Sequence, residues 1–99
     1  MTDITNDDIF AGSVGKEFVV ETFMNLSSAT LLQLRVKRPD KSVDLWTGVV
    51  YQTTKIRYVT GLNDLTSADA GKNYLQAYVE QGSYKDYGKV TSFEIKAVL

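Results

Sequence analysis

Twelve carboxylates, eleven Lys and Arg side chains and six tyrosines are the groups in this 99-residue chain that could do chemistry; His and Cys do not occur. Their absence removes the commonest general base and metal ligand near neutral pH, thiolate nucleophiles, Cys-based zinc sites and disulfides. Paired acids remain, because two carboxyl groups held ~5–10 Å apart can hydrolyse a glycosidic bond. The only clusters are Asp7-Asp8 and Asp64 with Asp69. The first lies on a polar segment with no periodicity to hold a geometry, and the second in a turn-rich loop, where Asp accepts hydrogen bonds from backbone amides. Asn63, Asp64 and Asp69 would offer oxygens to a calcium ion, but their spacing is not that of an EF-hand, and turn capping is the plainer reading. The Ser and Thr hydroxyls have no His to activate them and no Ser-x-x-Lys pair in a suitable context. Gly12-Ser13-Val14-Gly15 leads into no helical pattern, so it does not form a phosphate cradle. No catalytic residue, cofactor or metal ligand is assigned, and the chain is not expected to be an enzyme.

Contact residues are better candidates. Arg35, Lys37, Arg38 and Lys41 form the one basic concentration, on a strand and its turn. Tyr74, Gln76 and Tyr78 alternate outward on another strand, which would lie beside that of Arg35 in an immunoglobulin-like order, so that rings and guanidinium share a surface. Tyr and Arg are enriched at interface hot spots, which makes this a candidate protein-binding face; cross-strand pairs facing water are the equal alternative. Tyr84 and Tyr87, near Gly82 and Gly88, read as a second contact loop at a hairpin tip. Trp46 reads as core, because strands bury indole readily.

These residues need elements to position them, and the composition is that of strands: Val, Ile and Thr supply 25 residues, and Pro appears once. Period-2 alternation marks Lys16 to Thr22 (Phe18 and Val20 inward), the strand of Leu32, Leu34 and Val36, Lys55 to Thr60 (Ile56 and Tyr58 inward), Tyr74 to Glu80 (Leu75, Ala77 and Val79 inward) and Lys89 to Val98 (Phe93, Ile95 and Ala97 inward). Val43 to Tyr51 reads as one further strand with a bulge at Gly48, and Asp8 to Ala11 as an optional seventh. Pro39-Asp40-Lys41-Ser42 and Gln52-Thr53-Thr54 read as hairpin turns. Gly61 to Gly71 reads as a crossing loop anchored by Leu62 and Leu65, with room for one helical turn. Nowhere does an i, i+3, i+4 stripe outcompete alternation. The expected fold is all-β, a single-domain immunoglobulin-like antiparallel sandwich of six to seven strands over residues 9–99, preceded by an arm, residues 1–8, that is either loose or docked as an edge strand.

A net charge of -1 gives no basis for nucleic-acid or polybasic membrane binding. No apolar run approaches the ~20 residues of a membrane-spanning helix, and the acids near Met1 stand where a secretory leader would be basic.

The order Leu34-Arg35-Val36-Lys37-Arg38-Pro39-Asp40, Trp46-Thr47-Gly48-Val49-Val50-Tyr51, Lys55-Ile56-Arg57-Tyr58, Asp64-Leu65, then Ala70-Gly71 and Leu75-Gln76-Ala77-Tyr78-Val79 resembles the small Ig-like structural proteins of tailed bacteriophages. It is similar to the N-terminal domain of the phage baseplate upper protein family, with its K-K-P-D-G turn, K-I-x-Y strand and A-G-x-Y-x-L-Q-A-Y-V segment, over about Glu17 to Ile95. Two positions depart from that pattern. Lys41 replaces the turn glycine, which points to another turn type, and Asn73 stands at the corner position usually held by Tyr, so the corner's hydroxyl bond is lost or replaced by an amide. The resemblance implies a multi-copy or homo-oligomeric virion protein that contacts other virion proteins in the tail, baseplate or fibre attachment region after assembly in the host cytoplasm, without nucleic acid, membrane or cofactor. A head decoration protein, or a carbohydrate- or receptor-binding module using Tyr84 and Tyr87, are the rival expectations.

Overall fold

The computed structural model describes residues 2–4 and 9–98, the first three by their strand pairing alone. Two sheets face each other across one apolar interior. In the first, β1 (Thr2–Ile4), β3 (Glu17–Glu21), β7 (Lys55–Val59) and β6 (Val49–Tyr51) lie in that order. In the second the order is β2 (Ile9–Phe10), β10 (Thr91–Lys96), β8 (Gly71–Gln81), β4 (Leu31–Lys37) and β5 (Val43–Thr47), and β9 (Tyr84–Tyr87) also pairs with β8. The one helical piece among the described residues is a 3-10 turn at Ser67–Asp69, so the all-β reading holds.

Alternation explains the interior. Leu32, Leu34 and Val36 of β4 and Leu75, Ala77 and Val79 of β8 point to the same side, where they meet Phe18 and Val20 of β3, Ile56 of β7 and Phe93 and Ile95 of β10. Trp46 of β5 is buried among them, as its sequence context implies: it stacks on Tyr58 at 4.7 Å and meets Phe18 edge-on at 5.2 Å.

Several expectations need correction. The segment 43–51 is not one bulged strand: β5 pairs with β4, β6 pairs with β7, and at Gly48 the chain passes from one sheet to the other. A Cβ at Gly48 would collide with Ile56 Cγ2 and sit 3.1 Å from the Arg57 carbonyl, so glycine is required by close approach. The sandwich is not wholly antiparallel, because β2 runs parallel to β10. Thr2–Ile4 of the predicted arm pairs with β3 as an edge strand, whereas Asp7 and Asp8 lie outside the described residues. Leu62 does not anchor the 61–71 loop; it is 80% exposed, and Leu65 alone is buried there. Ala97 is exposed beyond the end of β10.

In the Pro39 turn Lys41 takes a left-handed conformation that glycine adopts without strain. Lys41 adopts φ 74°, the Lys41 N–H donates to the Arg38 carbonyl at 2.9 Å, and the Arg38 N–H donates to the Ser42 carbonyl at 2.8 Å. This is a three-residue loop with a left-handed third residue. Asp40 closes it by accepting from the Ser42 hydroxyl at 2.6 Å and the Ser42 N–H at 2.9 Å, contacts that hold its carboxyl below the usual range.

Candidate functional site

The outer face of the second sheet collects the predicted contact residues. Ladder register sets Lys37 beside Tyr74, Arg35 beside Gln76 and Gln33 beside Tyr78, so β4 and β8 share the surface that alternation implies. Val43 and Leu45 of β5 extend it, opposite Lys37 and Arg35 respectively, and both are exposed.

The rings are distributed differently from expectation. Tyr78 points to this face but is only 8% exposed, because Tyr87 of β9 lies over it with centroids 4.8 Å apart. The Tyr78 hydroxyl donates to Glu80 at 2.5 Å, and that bond, with burial, pushes its pKa up to about 12. Arg35 stacks on Tyr87 at 5.7 Å rather than on Tyr74, which has Lys72 over it at 5.6 Å. Gln76 donates to the Gly88 carbonyl at 3.0 Å and thereby ties β8 to the segment after β9.

The hairpin expectation is corrected too. Tyr84 and Tyr87 belong to a strand and not to a loop tip; the turn is Gly82-Ser83, with Gly82 at φ 61°. Alternation within β9 puts the two rings on opposite faces. Tyr84 donates to Asp86 at 3.1 Å, which raises its pKa, while Tyr87 joins the Arg35 cluster. They do not form one stacking platform.

A groove of about 840 Å³ runs over this face, lined by Arg35, Lys37, Lys41 and Lys72 together with Val43 and Tyr74, and no carboxylate lines it. Lys72 and Val43 are additions to the sequence reading; carrying the Tyr74–Tyr78 alternation two residues back would have found Lys72. Among the described residues, none of the four cations lies within ion-pair distance of an acid.

Arg38, grouped by sequence with those surface cations, also borders the groove but differs from them in being buried and paired. It is 3% exposed, and its guanidinium donates to Asp44 Oδ2 at 2.9 Å, the Asp64 carbonyl at 2.7 Å and Asn73 Oδ1 at 3.4 Å, with Asp69 at 3.8 Å and the Trp46 ring at 5.6 Å. Asn73 is wholly buried, and its amide donates to the carbonyls of Asp69 at 3.0 Å and Gly71 at 3.1 Å. The amide therefore ties the start of β8 to the loop that precedes it.

The candidate acids are committed to the loop itself. Asp64 accepts from the Tyr58 hydroxyl at 2.6 Å and the Gly61 N–H at 2.7 Å, and Asp69 accepts from the Thr66 hydroxyl at 2.8 Å. Burial, reinforced by the Asp64 carboxylate, pushes the Tyr58 phenol up to about 12. A raised folded-state pKa means that this stabilisation is complete below about pH 10, the free phenol's value, and is lost as pH rises through the folded value. Two of the six tyrosines, Tyr58 and Tyr78, are thus expected to ionise late, near pH 12, in a tyrosinate absorbance titration. Tyr58→Phe removes one of those late steps; simultaneous ionisation of all the tyrosines near pH 10 would count against the assignment.

Comparison of the chain with protein-family models, with curated proteins and with solved structures finds no match.

Proposed function

We propose that this chain is a non-catalytic, immunoglobulin-like interaction domain that docks on another protein through the outer face of its second sheet. On the resemblance of its turns and strands, we propose further that it is a structural component of a tailed-phage virion in the tail, baseplate or fibre attachment region. The observation that carries the docking reading is the cationic, aromatic face of Arg35, Lys37, Tyr74 and Tyr87, whose cations have no acidic partners within the described chain. Such a face suits protein recognition, where Arg and Tyr dominate binding energy. The strand order supports the Ig-like reading: β1-β3-β7-β6 against β2-β10-β8-β4-β5 follows the A-B-E-D and A′-G-F-C-C′ connectivity of that sandwich.

Mass spectrometry and immunogold labelling of purified particles test the address. The protein is expected in the particle and at the tail; absence from purified virions overturns the virion reading, and head labelling moves the protein to the capsid. Arg35→Glu tests the face. It is expected to reduce incorporation sharply while shifting stability by no more than about 0.5 kcal/mol, as surface changes do.

A further inference from the structure

The groove and the free edge beside it belong together. The β4–β5 ladder is bonded at both ends, by the Arg38 N–H to the Ser42 carbonyl at 2.8 Å and by the Gly48 N–H to the Leu32 carbonyl at 2.9 Å. Antiparallel pairing alternates bonded and unbonded residues, so between those ends Asp44 and Trp46 bond inward while the N–H and C=O groups of Val43, Leu45 and Thr47 point to the open side. No other strand of the described chain covers that side.

Near this edge the groove carries four cations, none of them within ion-pair distance of an acid among the described residues, although Glu94 of β10 stands across the ladder from Lys72. One of them, Lys41, occupies a left-handed position (φ 74°) where glycine would be unstrained, so positive charge sits at the groove mouth against the backbone's own preference. Strain of this kind persists where the surroundings or a function require it.

We infer that the β5 edge and its cationic groove receive an extended, acidic segment of a partner protein, which adds as a strand to Val43, Leu45 and Thr47 and sets its carboxylates against Lys37, Lys41, Arg35 and Lys72. This inference rests on the docking reading above and names the chemistry of the partner. Strand addition supplies affinity through main-chain bonds, and the charges supply selectivity. A nucleic acid has no strand backbone to pair with the alternating N–H and C=O row, although its phosphates could accept from single N–H groups.

The test is a heteronuclear NMR titration of the full chain with a synthetic peptide alternating Glu with Val and Thr, and with its counterpart carrying Gln for Glu. The expected result is that the amides of Val43, Leu45 and Thr47 shift with the Glu peptide, and that the Gln peptide binds about tenfold or more weakly. Lys41→Gly and Lys72→Gln should each weaken binding about two- to fivefold. Lys41→Gly should keep or raise the melting temperature, so its loss of binding cannot be loss of fold. Equal binding of the two peptides overturns the inference, as does an unmoved β5 edge or equal competition by oligothymidylate. Dimerisation abolished by Leu45→Lys also overturns it, because the edge then belongs to a second copy. If Arg35→Glu still blocks incorporation into particles while the Glu peptide leaves the edge unmoved, the docking face stands and the acidic strand falls.

Discussion

Arg38→Met is expected to lower the unfolding free energy by about 3–5 kcal/mol, the range for breaking a buried charged network from one side. A domain of this size holds only about 5–15 kcal/mol in all, so the loss will move the urea midpoint far. The reason is where the guanidinium sits. It joins β5 through Asp44, the 61–71 loop through the Asp64 carbonyl and Asp69, and β8 through Asn73, and it lies over Trp46. Met fills much of the volume but leaves the Asp64 carbonyl and the Asn73 amide oxygen short of a donor. Arg38→Lys keeps the charge without the fork that reaches several acceptors at once, and should recover little. Arg35→Met, on the exposed face, is the control and should stay within about 0.5 kcal/mol. Equal effects at positions 35 and 38 would show that the buried network is not what holds the loop.

Phe18→Ala is expected to cost a similar amount, about 3–5 kcal/mol, by a different route. Phe18 is fully buried on β3 and meets Trp46 of β5 at 5.2 Å and Phe93 of β10 at 5.0 Å, both edge-on at 63°. One ring from the first sheet thus holds two from the second, and such pairs add about 0.5–1.5 kcal/mol each beyond burial. The midpoint should fall with the denaturant slope unchanged, and the near-ultraviolet dichroism of Trp46 should weaken as its packing loosens. A loss below about 1 kcal/mol would mean that the surrounding chains close over the cavity, against the usual behaviour of cores.

Strands with one wet and one dry face were legible from sequence. Leu32, Leu34 and Val36, Leu75, Ala77 and Val79, and Phe18 and Val20 all lie where alternation puts them, because burial on one side writes a period of two into the residues. The segment 43–51 was misread because alternation reports which face a side chain takes and not which sheet its strand joins. β9 reads as a loop tip because its sequence, Tyr-Lys-Asp-Tyr, carries no apolar and polar alternation, and the strand is exposed on both faces. Leu62 shows the reverse error: an apolar residue in a segment without period carries no direction.

The cationic, aromatic face was legible to the same depth. Arg35, Lys37, Tyr74 and Gln76 follow from period and adjacency, but the cover that Tyr87 gives Tyr78 depends on how a hairpin folds back and is invisible locally. Arg38 was misplaced because charged residues are normally solvated, and two of the groups that make its burial tolerable, Asp69 and Asn73, come from distant chain.

The crossing at Gly48 has a mechanical meaning. Chain leaves one layer at Thr47 and enters the other at Val49, with its single intervening amide bonded to Leu32, so there is no slack at that seam. Peeling either layer strains the ladder of its neighbour. The sandwich is therefore expected to yield as one piece, because force applied to β5 loads both layers together.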